Sequence, residues 1–315
     1  MSHHLLHIFS HGAFLSKERG QLLMRSPGEE SERQMPLEDI LGVIIAARGV
    51  SLSNDLIRAL AERQAVLLHC DSSYRPIALT APLARTTRPN VVENQANRSL
   101  ELHQRLWRRI VRNKVRNQMR NLKLAGELSP ELWAEIQRPG FRPQESLWAR
   151  RYWKGFFPLA GGAPGEGRDQ QSGTPLNGML NYGYAVLQAI VHRSIVVNGL
   201  LPNLGFHHAT KYSGDPLVYD LMEPFRAFVD GMLLAFRKTN EPTEESFPLW
   251  ARHVAAELIR LKVKTPHHGR QRLLHAIDQW VKMIAGCLNE KSVSPYWEVT
   301  LDQKSLQDGL GDGDV

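Results

Sequence analysis

The chain has 315 residues and a formal net charge of +7, from 39 Lys and Arg against 32 Asp and Glu. Its 42% hydrophobic and 23% charged residues are typical of folded proteins and exclude a mainly disordered chain. The longest apolar run, residues 40–47, is about half of the roughly 18 to 20 residues that a membrane-spanning helix needs. Because the N-terminus has no signal-peptide pattern and the two distant cysteines make no disulfide framework, we expect a cytoplasmic protein without a membrane partner.

Short apolar segments separated by turn residues predict a β-rich domain over residues 1–84. The predicted strands cover residues 5–9, 13–16, 21–24, 40–46 and 65–69. Glu18, Arg19 and Gly20 form the predicted hairpin turn between the second and third strands, and an apolar stripe with Ser53 or Asn54 as its cap predicts one short helix. Residues 85–95 are predicted to be a linker, because the chain loses its periodicity there and has two prolines nearby.

After the linker the hydrophobic period changes from 2 to 3.6, which predicts an all-α domain over residues 96–300. The predicted helices cover residues 102–122, 144–157, 178–197, 217–236, 246–262 and 270–288. A Gly- and Pro-rich segment at 158–176 predicts a mobile loop, and the acidic, Gly-rich residues 301–315 predict a disordered tail. The expected fold is therefore α+β, with a small β-sandwich-like N-terminal domain and a larger helical C-terminal domain.

The predicted helix from 104 to 123 carries eight cations and no acid. Like charges at helical spacing repel one another by a few tenths of a kcal/mol per pair, and a polyanion would relieve that repulsion. A solvated helix face is the alternative to a surface that contacts DNA phosphates. The candidate DNA-binding residues are Arg105, Arg108, Arg109, Arg112, Lys114, Arg116, Asn117, Gln118 and Arg120.

Two carboxylates project from one edge of the predicted helix at 217–236. Asp220 and Glu223 are three residues apart and lie off the apolar stripe, with His207 and His208 twelve or more residues upstream. A His and one or two carboxylates suit Mg²⁺ or Mn²⁺, which prefer oxygen ligands. Pro224 predicts that this helix starts close by or is kinked, and two solvated carboxylates remain the simpler interpretation of the pair taken alone.

A third carboxylate, Glu145, stands at the head of an apolar stripe instead of on the basic side of its predicted helix. A carboxylate in that position needs a partner. A first-turn Glu that complements the helix dipole is the alternative interpretation.

Four motifs together resemble the CRISPR-associated endonuclease and integrase family, Cas-one, the catalytic subunit of spacer acquisition. They are Glu145-Ser-Leu-Trp-Ala-Arg-Arg-Tyr152, Asn177-Gly-Met-Leu-Asn181-Tyr-Gly-Tyr184, Gly199-Leu-Leu-Pro202-Asn-Leu-Gly205-Phe-His-His208 and Asp220-Leu-Met-Glu-Pro-Phe-Arg226, in the order in which the family has them. Lys114-Val-Arg-Asn117-Gln118 is similar to a further helix of that family. The resemblance covers roughly residues 5–290.

The resemblance implies that Glu145, His208 and Glu223 bind Mg²⁺ or Mn²⁺, with Asp220 as a neighbouring catalytic acid. Ser146 stands where the family usually has Gly, and the His207-His208 pair is similar to the type II subfamily, in which the second His binds the metal. The choice between the two histidines stays open. Further residues of the same motifs are candidates to line the site: Asn181, Tyr184, His207 and Arg226.

The implied reaction is transesterification, in which the 3′-hydroxyl of a short DNA fragment attacks a phosphodiester at the boundary of a CRISPR repeat. The implied partners are double-stranded DNA, as prespacer fragment and CRISPR repeat, and a small ferredoxin-like second adaptation protein. A homodimer joined through the N-terminal domains would flank that protein in a heterohexamer. A non-catalytic basic DNA-binding protein on the same helices is the alternative function.

Overall fold

The structure is a computed structural model, and it describes residues 4–72, 74–82, 89–208 and 214–301. The chain forms two compact units, residues 1–85 and 86–315, and has a mixed α/β fold with a strand-rich N-terminal and a helical C-terminal region. Most of the predicted tail at 301–315 and the first part of the predicted linker lie outside the described residues. Within the described ranges, no helix combines the length and hydropathy that a bilayer span requires.

The described residues of the N-terminal unit form two four-stranded sheets, one α-helix and a short 3-10 helix, Leu37–Asp39. The first sheet has the order β1-β5-β7-β8, with β8 antiparallel and the other neighbours parallel, and the second has the order β4-β3-β2-β6. The strands are β1 (His4–Ile8), β2 (Phe14–Glu18), β3 (Gln21–Arg25), β4 (Arg33–Pro36), β5 (Ile40–Ile45), β6 (Ser51–Leu52), β7 (Val66–Cys70) and β8 (Pro76–Thr80). Buried residues of both sheets, such as Leu15 and Val43, belong to one hydrophobic cluster.

Local sequence signals explain two features of this unit. Arg19 and Gly20 have φ angles of 46° and 82°, the left-handed conformation that a tight two-residue hairpin between β2 and β3 requires. Helix α1 (Asn54–Glu62) begins after Ser53, whose hydroxyl accepts a hydrogen bond of 3.3 Å from the backbone N–H of Leu56. Both features were predicted.

Helices dominate the C-terminal unit. They are α2 (Pro89–Ala96), α3 (Leu100–Leu124), α4 (Pro130–Gln137), α5 (Glu145–Leu159), α6 (Pro175–Val197), α7 (Pro216–Phe236), α8 (Phe247–Arg260) and α9 (Leu273–Asn289). α7 continues through Pro224 and begins eight residues before it, so the proline does not mark the start of the helix.

Two expectations for this unit are corrected. Residues 89–95 of the predicted linker belong to α2, which has Pro89 at its first position, where a missing N–H costs nothing. The unit is also not purely helical, because β9 (Lys262–Thr265), β10 (Gly269–Arg272) and β11 (Thr300–Leu301) form a three-stranded sheet in the order β10-β9-β11. β9 alternates exposed Lys with buried Val and Thr, but the alternation covers only four residues between two helical patterns, so the sequence did not predict the strand.

The Gly- and Pro-rich segment is tied to α6. α5 extends to Leu159 and α6 begins at Pro175. Between them, Arg168 donates hydrogen bonds to Oδ1 of Asn177 at 2.9 Å and to Oδ1 of Asn181 at 2.6 Å. The composition predicts a mobile loop, but these charge-assisted bonds hold its centre against the helix.

A buried amide ladder joins α3 to α7. Asn117 donates to the carbonyl oxygens of Pro224 and Val299, both at 2.9 Å, and Asn121 donates to the carbonyl of Ala227 at 2.8 Å. Asn113 pairs with Val299 in the same way. Because residues four apart lie on one helix face, this spacing fixes which side of α3 faces α7.

Candidate metal and nucleic-acid site

Lys114 on α3 lies between two carboxylates that come from two other helices. Its ammonium nitrogen is 2.8 Å from Oε1 of Glu145, the first residue of α5, and 2.6 Å from Oε2 of Glu223 on α7. The Lys114 side chain is 10% exposed and faces these two carboxylates, whereas the sequence predicts that it contacts DNA. The fold therefore brings the carboxylates of Glu145 and Glu223 together at the ammonium of Lys114.

Glu223 is buried, and burial by itself disfavours its charged form. The ammonium of Lys114 and the guanidinium of Arg226, which donates to Oε1 at 2.8 Å, outweigh that effect and lower the Glu223 pKa to about 2. The same carboxylate raises the pKa of Arg226 against the opposing effect of its own burial. Oε2 of Glu223 is a buried atom, and its charged partner is the ammonium of Lys114 at 2.6 Å.

His208 and Asp220 form a second pair close to the first. The backbone N–H groups of Phe206, His207 and His208 all donate to the Asp220 carboxylate, which is fully buried. Nδ1 of His208 lies 2.7 Å from Oδ1 of Asp220. A Cβ at Gly205 would come within 2.7 Å of Oδ2 of Asp220, so the close approach of this loop requires glycine.

The donor set fits a hard divalent cation in part. Two carboxylates converge on one point, and the Asp220 contact at Nδ1 leaves Nε2 of His208 as the imidazole nitrogen that a metal could use. However, within the described ranges no three His, Cys, Asp or Glu side chains are close enough together to hold a metal ion. In this arrangement Asp220 orients the ring of His208, while Glu145 and Glu223 face the ammonium of Lys114.

A cavity of about 480 Å³ lies beside Glu145 and is lined by several arginines. Its basic lining residues are Arg105, Arg108, Arg109, Arg112 and Arg142. Trp107 and His207 also line it, and their rings stack with centroids 4.5 Å apart and an interplanar angle of 8°. The sequence predicts the site-lining role of His207, whereas Trp107 was missed because aromatic residues within a helix are usually core residues.

Five further residues of the nine predicted to bind DNA are buried or contact other parts of the protein, although one of them, Arg112, also lines the cavity. Arg112 and Arg116 both pair with Glu298, at 2.9 and 2.8 Å. Asn117 and Gln118 are buried. Arg120 lies over the ring of Trp133, and burial lowers its pKa. Glu298 lies more than 180 residues further along the chain, so local sequence could not show its pairing with Arg112 and Arg116.

The remaining candidates, Asn181, Tyr184 and Arg226, belong to one buried network. The Tyr184 hydroxyl donates to Asp230 at 2.5 Å, and the Arg226 guanidinium lies 4.4 Å from the centroid of the Tyr184 ring. Tyr152 donates to the other oxygen of Asp230 at 2.8 Å. Burial raises the pKa of Asp230 to about 6 despite these two donors. The network positions Arg226 beside Glu223.

Known proteins resemble this chain along most of its length. The family model described as "CRISPR associated protein Cas1" matches residues 6–257. The "CRISPR-associated endonuclease Cas1" of Neisseria meningitidis serogroup C is 30% identical over 292 residues, covering 90% of this chain and 92% of that protein. Two solved structures share the fold. They are a casposase bound to an integration product (TM-score 0.74, 20% identity, 98% of each chain) and a Cas6-RT-Cas1–Cas2 complex (TM-score 0.71, 12% identity, 94% of this chain and 36% of that one).

Proposed function

The chain belongs to the Cas1 family of CRISPR-associated proteins, and from that premise we propose that it is a metal-dependent DNA integrase and endonuclease of CRISPR adaptation. In the proposed reaction the 3′-hydroxyl of a short DNA fragment attacks a phosphodiester at a CRISPR repeat, and a new P–O bond forms as the bond to the 3′-oxygen of the repeat strand breaks. The observation that carries the proposal is the convergence of Glu145 and Glu223, from two helices, on one cationic position. The neighbouring arginine-lined cavity supports a phosphodiester substrate.

Glu145, Glu223 and Nε2 of His208 are the proposed ligands of Mg²⁺ or Mn²⁺. When bound, such an ion supplies Lewis-acid stabilisation of the negative charge that develops on the phosphate. Asp220 holds the imidazole of His208 by its Nδ1 atom and so fixes the direction of Nε2. The proposal includes the similarity of the His207-His208 pair to the type II subfamily, in which the second histidine binds the metal.

The cationic side chains at the site have separate proposed roles. Arg226 neutralises Glu223 from one side, so that carboxylate stays ionised inside the protein. The cavity arginines bind backbone phosphates and align the attacking 3′-hydroxyl, which lowers the entropic part of the barrier. Trp107 and His207 present a stacked pair of rings against which a base at the DNA end can pack.

We also propose the partners of the family for this chain. The structures that share the fold include a casposase bound to an integration product and a Cas6-RT-Cas1–Cas2 complex, which supports DNA and a small Cas2-type adaptation protein as partners. The proposed assembly is a heterohexamer in which two homodimers, joined through their N-terminal units, flank a dimer of that protein. The β-sandwich character of the N-terminal unit belongs to the same proposal.

An integration assay tests the function. Purified protein, a supercoiled plasmid with a CRISPR repeat, a labelled DNA fragment, Mn²⁺ and the Cas2-type partner should give labelled plasmid. Glu145→Gln and Glu223→Gln should each reduce strand transfer by at least about a hundredfold, whereas the exposed Glu244→Gln should leave it unchanged. Full activity in either site variant would overturn the assignment. Tight DNA binding without strand transfer by the unmodified chain would favour the non-catalytic alternative.

A further inference from the structure

Lys114 occupies the point that the two carboxylates share. Its ammonium is 2.6 Å from one Glu223 oxygen and 2.8 Å from one Glu145 oxygen, the normal separation for charge-assisted contacts. A divalent cation between the same two oxygens would lie at about 2.0 to 2.3 Å from each. Both cations would then fall within a few ångströms of each other in a site that excludes most water. Their repulsion is large at that distance, so only one can hold this place.

We propose that Lys114 is the resident counter-ion of the metal site and that a divalent cation must displace its ammonium from Glu145 and Glu223 in order to bind. The inference rests on the proposed function, because it takes the same two carboxylates as metal ligands. It assigns Lys114 a role that neither DNA contact nor helix packing describes. Lys114 sets how tightly the metal binds, and in the absence of metal it holds Glu145 and Glu223 together.

The surroundings of Lys114 support this role. Glu223 is buried, and the ammonium of Lys114 lies 2.6 Å from its Oε2 atom. Arg226 reaches only the other oxygen, Oε1. Without Lys114, Arg226 would be left as the cation beside Glu223, and the buried Oε2 atom would lose its charged partner, which is unfavourable. The lysine therefore links α3, α5 and α7 through the two carboxylates until a metal replaces it.

Two ordinary explanations predict different behaviour. If Lys114 were a structural ion pair and nothing more, its removal would loosen the site and weaken metal binding. If it contributed only general positive charge, removal of any nearby cation of α3 would strengthen metal binding equally. Arg112 provides the matched comparison, because it lies on the same helix and pairs with Glu298 instead of with the two carboxylates.

The experiment measures Mn²⁺ affinity by calorimetry on the full chain without DNA, for the unmodified protein, Lys114→Gln and Arg112→Gln. We expect Lys114→Gln to bind Mn²⁺ at least about tenfold more tightly than the unmodified protein, and Arg112→Gln to change the affinity less than about threefold. The melting temperature of Lys114→Gln should be lower without metal and should rise more on addition of Mn²⁺, since a ligand that binds the folded state stabilises it.

Equal or weaker Mn²⁺ binding by Lys114→Gln, or equal strengthening by Arg112→Gln, would overturn the inference and leave the proposed function standing. No Mn²⁺ binding by the unmodified protein and by Lys114→Gln would overturn both. If Lys114→Gln does not fold, acetylation of the unmodified protein decides the question. Mn²⁺ should then increase labelling of Lys114 at least about threefold relative to the exposed Lys262, and unchanged labelling would overturn the inference.

Discussion

Nη1 of Arg116 lies 2.8 Å from Oε2 of Glu298, an acid 182 residues further along the chain. The other oxygen of the same carboxylate accepts from Arg112 at 2.9 Å. All three side chains are at most 22% exposed. One carboxylate therefore pairs with two of the eight cations of α3, and the other arginines that line the cavity, Arg105, Arg108, Arg109 and Arg142, form the proposed surface for DNA phosphates.

Glu298→Gln should destabilise the C-terminal unit, because two poorly hydrated guanidinium groups lose their charged partner. The expected loss is about 1 to 3 kcal/mol, or roughly 4 to 8 °C in melting temperature at the middle of that range. A thermal melt followed by circular dichroism measures it. Glu101→Gln is the control, since its 3.4 Å pair with Arg105 is exposed and should matter little. Equal shifts in the two variants would contradict a special role for Glu298.

Arg108→Gln should reduce the salt dependence of DNA affinity. Arg108 is exposed, lines the cavity and makes none of the ion pairs found among the described residues. Loss of one phosphate contact should lower the slope of log affinity against log salt by about 0.9. The measurement is fluorescence anisotropy with duplex DNA at several salt concentrations.

Arg116→Gln is the comparison for that experiment. The sequence predicts that Arg116 contacts DNA, whereas its contacts with Glu298 and with the carbonyl of Ile136 indicate that Arg116→Gln will affect stability and leave the slope unchanged. A slope that falls for Arg116→Gln and stays constant for Arg108→Gln would show that the phosphate-contact surface lies elsewhere.

Asp220→Asn and His207→Ala should separate the roles of the two histidines. Asp220 fixes the His208 ring through Nδ1, so Asp220→Asn should reduce strand transfer about 10- to 100-fold. His207 is exposed and stacks on Trp107, so His207→Ala should cost less than about tenfold and act mainly on DNA affinity. Rates at saturating and limiting DNA distinguish the two effects. A larger loss of maximal rate for His207→Ala would transfer the proposed ligand role to His207.

Because of Asp230, the free energy of unfolding should decrease as the pH rises from about 4 to about 6. Burial raises its folded-state pKa from 3.8 to about 6, so the folded state binds more protons than the unfolded state between these values. The contribution of Asp230 to the free energy of unfolding is therefore fully present below pH 3.8 and is lost as the pH rises to about 6. A shift of about two pKa units corresponds to a loss of about 3 kcal/mol.

Asp230→Asn removes this titration. The melting temperature of the variant, relative to that of the unmodified protein, should therefore rise between pH 4 and pH 7. Glu223 has the opposite sign, because its pKa is lowered to about 2 and its contribution is lost only as pH falls below its unfolded value. Parallel melting curves for Asp230→Asn and the unmodified protein over that range would show that Asp230 does not titrate there.

The sequence by itself determined the main strands, the long helices and the family. Period-2 and period-3.6 patterns are local properties, so the main strands of the first unit and the long helices of the second could be predicted residue by residue. The motifs around Glu145, His208 and Glu223 supplied the family, which the match over residues 6–257 confirms.

The tertiary structure alone decided the partner of each charge. Glu298, Glu145 and Glu223 reach the cations of α3 from distant parts of the chain, which no local charge pattern could show. A lysine predicted to contact DNA instead lies between two proposed metal ligands. Electrostatic pairing depends on distances of a few ångströms, and folding sets these distances independently of separation in sequence.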